Sequence, residues 1–159
     1  MGSCLNQREI AKILKVSPTA IANALIKLEK QCFILNKKNK KMNLNLIELN
    51  RDNDFAMELK RVDNLKMIYE SDVVNILEKK FPGSVIILFG SYSYGEDTIN
   101  SDIDLAIIGC KEKKLDLSKV EKFFKKEIRI NFYEDFNKIH KHLRSNIFNG
   151  IVLAGRIGL

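Results

Sequence analysis

The chain has 159 residues, which suits one ordinary domain or two very small ones. It is 45% hydrophobic and 30% charged, with 2 Pro and 8 Gly, a balance that excludes wholesale disorder; no run of 18 apolar residues marks a membrane span. The net charge of +7 is uneven, because residues 1–50 hold nine Lys or Arg against three Glu, and a polyanion partner is expected for that part.

Three cysteines, Cys4, Cys32 and Cys110, are too few and too scattered for a disulfide framework or a zinc site. Each stands beside apolar residues, so all three are expected to be buried and structural. The N-terminus lacks a basic-then-apolar leader, and a cytoplasmic location is expected.

Asn6 three residues before Glu9 reads as a capping box with Asn in place of Ser or Thr. Gln7 to Leu14 then sets Ile10, Ile13 and Leu14 on one helical face, with Ala11 beside them. Ser17-Pro18 starts a second helix, Ser as cap and Pro in the first turn. Its apolar face is Ile21, Ala24, Leu25 and Leu28, and its other face carries Thr19, Ala20, Asn23 and Lys27. Two β-prone segments, Phe33–Leu35 and Met42–Leu49, flank a polar turn with Lys37, Lys38, Lys40 and Lys41. Two short helices and a basic hairpin resemble the winged helix-turn-helix of many prokaryotic transcription regulators. The resemblance implies DNA contact through Thr19, Asn23 and Lys27 in a major groove and through the four lysines. A protein-interaction module and a plain scaffold stay open as alternatives.

Asp52 to Phe81 is helical by pattern, with Leu65, Ile68, Tyr69, Val73, Ile76, Leu77 and Phe81 on an apolar stripe and Pro82-Gly83 ending it. Ser84–Phe89 is a continuous apolar run and reads as a buried strand. Gly90-Ser91 follows, where glycine lets the backbone approach a ligand and the serine hydroxyl can hold phosphate oxygens. In Asp102-Ile-Asp-Leu105, strand alternation puts both carboxylates on one face, where they can share Mg²⁺.

Phe89-Gly-Ser91, a ten-residue spacer and Asp102-Ile-Asp-Leu105 resemble the signature of the polymerase-beta-like nucleotidyltransferase superfamily, in the form of its small prokaryotic branch. Nearly the full chain resembles archaeal proteins that join such a domain to a winged helix. The implied fold class is α+β: a winged helix at 4–50, connecting helices at 51–82 and a nucleotidyltransferase domain with a mixed sheet at 83–159. The resemblance implies Gly90 and Ser91 on the triphosphate, Asp102 and Asp104 as catalytic metal ligands, Mg²⁺ or Mn²⁺ as the ion and an NTP, ATP first, as substrate. The implied partners are the nucleotide, DNA, and a protein such as a cognate toxin; a homodimer is a further expectation.

The family also places a third carboxylate on a later strand, here Glu127–Tyr133. Ile128, Ile130 and Phe132 are its expected buried face. The acid would fall at Arg129 or Asn131, neither of which is one, and Glu127 has the right parity but stands at the strand's start. Either an active transferase or a nucleotide-sensing, weakly active regulator or antitoxin-like protein is compatible with that departure. Further on, Leu117–Lys126 is expected to be a helix with Val120, Phe123 and Phe124 inside, and Asp135–Asn149 another. His140 and His142 are two apart and share no helical face. Residues 150–155 read as a last strand.

Overall fold

A capping box opens the chain's first helix, α1 (Gln7–Leu14). The Asn6 side chain accepts from the Arg8 and Glu9 amides at 2.9 and 3.0 Å, and the Glu9 carboxylate accepts from the Asn6 amide at 2.8 Å. The computed structural model describes residues 4–39 and 44–157. By its contacts the chain divides into two units, residues 1–57 and 58–159.

In the first unit, Lys15 turns α1 off in a left-handed conformation, and the Ser17 hydroxyl accepts from the Ala20 amide at 3.1 Å to start α2 (Pro18–Lys30). The Gln7 amide donates to the Pro18 carbonyl at 2.8 Å and ties the helices together. Strands β1 (Ile34–Asn39) and β2 (Leu44–Leu49) pair antiparallel from Ile34 opposite Leu49 to Asn39 opposite Leu44. Leu5 adds a bridge to Ile47. Ala11, Ile21, Ile47 and Ala56 are buried.

Two expectations are corrected here. Ile13 and Leu14 stay 63% and 60% exposed, because α1 packs inward through the small Ala11 instead. Cys4 and Cys32 are exposed, not buried; Cys4 lies at the surface with its thiol donating to Glu48, and Cys32 sits in a left-handed turn after α2.

The apolar run expected as one helical stretch is broken at Ser71-Asp72 into α3 (Asp54–Glu70) and α4 (Val73–Lys80). The Ser71 hydroxyl donates to the Ile68 carbonyl at 2.7 Å, and Asp72 takes a left-handed conformation. The bend turns Val73, Val74, Leu77 and Phe81 onto the sheet and leaves Tyr69 51% exposed.

The sheet of the second unit is built from β3 (Val85–Phe89), β4 (Ile103–Ile108), β5 (Ile128–Tyr133) and β6 (Ile151–Ala154) in the order β5-β4-β3-β6. β3 runs antiparallel to β4 and β6, and β4 runs parallel to β5. Between the strands lie α5 (Ser91–Tyr94), α6 (Ser118–Phe124) and α7 (Lys141–Phe148). One face carries Ile86, Leu88, Ile103, Leu105 and Ile107 under α4 and α6. The other carries Val85, Ile87, Phe89, Ala106, Ile108 and Tyr133 under Ile139 and Ile147. Covering on both faces explains why β3 is apolar at every position.

Three further details depart from expectation. Phe123 is 49% exposed at the rim, edge-on to Phe124. Tyr133 is buried on the face thought to be polar, and Ile130 and Phe132 are only partly buried on the other. The segment 135–149 is a 3-10 turn (Phe136–Lys138), an extended link and α7, because Ile139 must reach into the core. Among the described residues no helix is long and apolar enough to cross a membrane.

Candidate active site

β3 delivers Gly90 to the start of β4, since Phe89 stands opposite Asp104 in the antiparallel register. Gly90 has φ +73, and a Cβ there would lie 2.6 Å from the Asp104 Oδ2 atom. The glycine is thus required twice, by its backbone and by the carboxylate that fills the place of a side chain. Its carbonyl accepts from the Ser93 amide at 3.0 Å and the Ser93 hydroxyl at 2.7 Å. Ser91, partly exposed, heads the single turn of α5, and Gly95 ends that turn at φ +74.

Asp102 precedes β4 and Asp104 is its second residue, both partly exposed, while Ile103 and Leu105 between and beyond them are fully buried on the opposite face. Alternation therefore brings the two carboxylates to one side, as expected. Burial, and then the charge of Asp102, push the Asp104 carboxyl above the usual carboxylate range; Arg129 pulls it back in part.

Arg129 is the neighbour of Asp104 in the parallel register of β4 and β5. Its Nη1 is 2.9 Å from Asp102 Oδ2, and its Nη2 is 3.4 Å from Glu127 Oε2. Of the two positions expected for a third acid, the one beside Asp104 thus holds a guanidinium. Asn131 lies one step further along, beside Ala106. Glu127 receives the Ile103 amide on its carbonyl at 2.9 Å, but its carboxylate is turned to Arg129. Among the described residues no three His, Cys, Asp or Glu side chains are grouped to hold a metal ion.

The spacer between the two halves of the motif is held by a polar cluster that sequence reasoning missed. Asp97 is 7% exposed. It accepts from the Asn64 amide at 2.7 Å, is paired with Lys60 and lies 3.8 Å from Lys126 Nζ. Lys60 also donates to the Gly95 carbonyl at 2.9 Å, Asn64 to the Tyr92 carbonyl at 2.9 Å and Lys126 to the Ser101 carbonyl at 3.0 Å. The available signal was spacing: Lys60, Asn64 and Ile68 form one i, i+4 line on α3, so two polar residues continue a buried stripe.

Of the other residues singled out, Thr19, Asn23 and Lys27 are exposed on α2, and Lys37 and Lys38 are exposed on β1, Lys37 paired with Glu48. Lys40 and Lys41 lie outside the described residues. His140 and His142 are exposed, and their rings stack at 5.7 Å with 10° between planes. They share no helical face, as expected; their rings meet because His140 stands just before α7, at φ −55 and ψ 133.

The family model described as a nucleotidyltransferase domain matches residues 70–154, which takes in all four strands of the sheet and both aspartates. A crystal structure of a candidate nucleotidyltransferase from Sulfolobus solfataricus aligns with 63% of this chain and 87% of its own, at 20% identity and a TM-score of 0.37. No curated protein matches the chain.

Proposed function

We propose, since the chain belongs to the nucleotidyltransferase domain family, that the site at Gly90, Ser91, Asp102 and Asp104 binds an NTP with Mg²⁺ and transfers its nucleotidyl group to a hydroxyl. The observation that carries this reading is the junction of Gly90 with Asp104, where the missing Cβ makes room for a carboxylate. Mg²⁺ is commonly held by one or two carboxylates plus substrate phosphates, and Asp102 and Asp104 fit that donor set. When bound, the ion neutralises phosphate charge and orients the triphosphate.

The chain's own residues do the rest. The first amides of a helical turn lack intrahelical partners and suit phosphate oxygens, and the Ser91 hydroxyl adds a donor. The Asp97 cluster keeps the Gly90 turn and the aspartates at a fixed separation. The acceptor oxygen forms a bond to the α-phosphorus, the bond from that phosphorus to the bridging oxygen breaks, and pyrophosphate leaves. The acceptor's proton must leave too, and Arg129 cannot take it, because a guanidinium stays protonated. Transfer is therefore slow unless the acceptor or water supplies a base.

Arg129 in place of an acid beside Asp104 favours a second reading, in which the domain binds nucleotide without turnover and regulates a DNA-binding winged helix formed by the first unit. The test is incubation with α-labelled ATP, Mg²⁺ and candidate hydroxyl acceptors. Label transfer is expected, and Asp102→Asn with Asp104→Asn should abolish it. Nucleotide binding with no label on any acceptor would overturn the first reading and leave the second.

A further inference from the structure

Asp102, just before β4, and Asp104, within it, set two carboxylates on one side of the strand. Arg129 reaches across from the edge strand and bonds Asp102 Oδ2 at 2.9 Å. That carboxylate oxygen is the kind of atom a divalent cation would need, at a distance of about 2.0–2.1 Å for Mg²⁺. A guanidinium and a divalent cation cannot use the same oxygen lone pair, and their charges repel. The Arg129 side chain is 57% exposed, so it can turn away without disturbing the core.

We propose that Arg129 is the resident cation of this site: it closes Asp102 when no nucleotide is bound and restricts the aspartate pair to a single divalent ion. This rests on the reading of Asp102 and Asp104 as metal ligands. Arg129 offsets one of the two aspartate charges, and Glu127, its other partner at 3.4 Å, faces the guanidinium and not the aspartates, so the pair favours one divalent ion accompanied by phosphates and not a second. Once a triphosphate enters, the planar fork of Arg129 matches a phosphate as well as it matches a carboxylate. The residue thereby exchanges one anion for another and frees Asp102 for the ion that arrives with the nucleotide.

The experiment titrates the full chain with Mn²⁺ alone, without nucleotide, and follows free Mn²⁺ by electron paramagnetic resonance at fixed ionic strength. Wild type is expected to bind one ion weakly. Arg129→Ala and Arg129→Gln should bind it about tenfold tighter, the effect of removing one unit charge some 5 Å from a divalent ion in a largely solvated site. Arg129→Asp should raise the stoichiometry to two ions per chain. Arg129→Lys, which keeps the charge, should stay close to wild type. Equal affinity in wild type, Arg129→Ala and Arg129→Gln, or binding in none of them, overturns the proposal. Asp102→Asn with Asp104→Asn in the Arg129→Ala background separates the two ideas. If Mn²⁺ binding survives there, the aspartates are not the ligands and the reading beneath the proposal fails; if it vanishes while Arg129→Ala matches wild type, only the proposal fails.

Discussion

Asp104 shows how one residue can serve a site at the expense of its fold. Burial and Asp102 raise its carboxyl above the ordinary range, so the folded chain holds the proton more tightly than the unfolded one. Such a group favours folding while protonated and loses that contribution as pH rises through its folded value. At neutral pH the ionised carboxylate is therefore a net burden. Asp104→Asn should melt about 2 °C higher than wild type at pH 7, and thermal scans should show the gain shrinking to nothing in acid, where both side chains are neutral. A lower melting temperature for the variant at pH 7 would contradict the account. The Asp102/Asp104 pairing was readable from the sequence because strand alternation needs no knowledge of neighbours. The bond from Arg129 to Asp102 was not, because it depends on the register between β4 and β5, which a crossover through α6 leaves unspecified in the sequence.

Among the elements, the spacer from Gly95 to Ser101 depends on α3 and on Lys126 more than on itself. Asp97 is the acceptor they share. Asp97→Ala leaves two lysines and an amide without the carboxylate they share, and should cost the second unit about 2–4 kcal/mol, read from urea denaturation of the full chain. Lys66→Ala, which removes a pair with Glu70 that is exposed on both sides, should leave the midpoint unchanged. The helices and strands were largely legible, from caps at Asn6 and Ser17 and from the apolar run of β3. The breaks were not. The apolar stripe of Leu65–Phe81 passes from Tyr69 to Val73 in an ordinary four-residue step, so nothing in the pattern marks the bend at Ser71-Asp72, which is set by where the sheet lies. Exposure of Ile13 and Leu14 was equally hidden, since periodicity marks a face but not what meets it.

At the scale of the whole molecule, charge separates the two units: the basic excess lies in the first fifty residues and the carboxylate site in the second unit. If the first unit holds DNA through its hairpin, affinity for a mixed-sequence duplex should fall steeply with salt. Lys38, Lys40 and Lys41 changed together to Ala should flatten the logarithmic slope by about 2–3, near 0.9 per lost phosphate contact; Lys37 is left out because Glu48 already pairs with it. Fluorescence anisotropy across a salt series measures this, and an unchanged slope would remove the lysines from the interface. The sheet order has a consequence for the chain as it is made. β3 is flanked by β4 on one side and by β6 on the other, and about sixty residues separate Phe89 from Ile151. At translation rates of about 5–20 residues per second, one side of the central strand waits roughly 3–12 s for its partner. This apolar strand thus leaves the ribosome with an open backbone edge, and β6, the last of the four sheet strands in chain order, is the one that closes it.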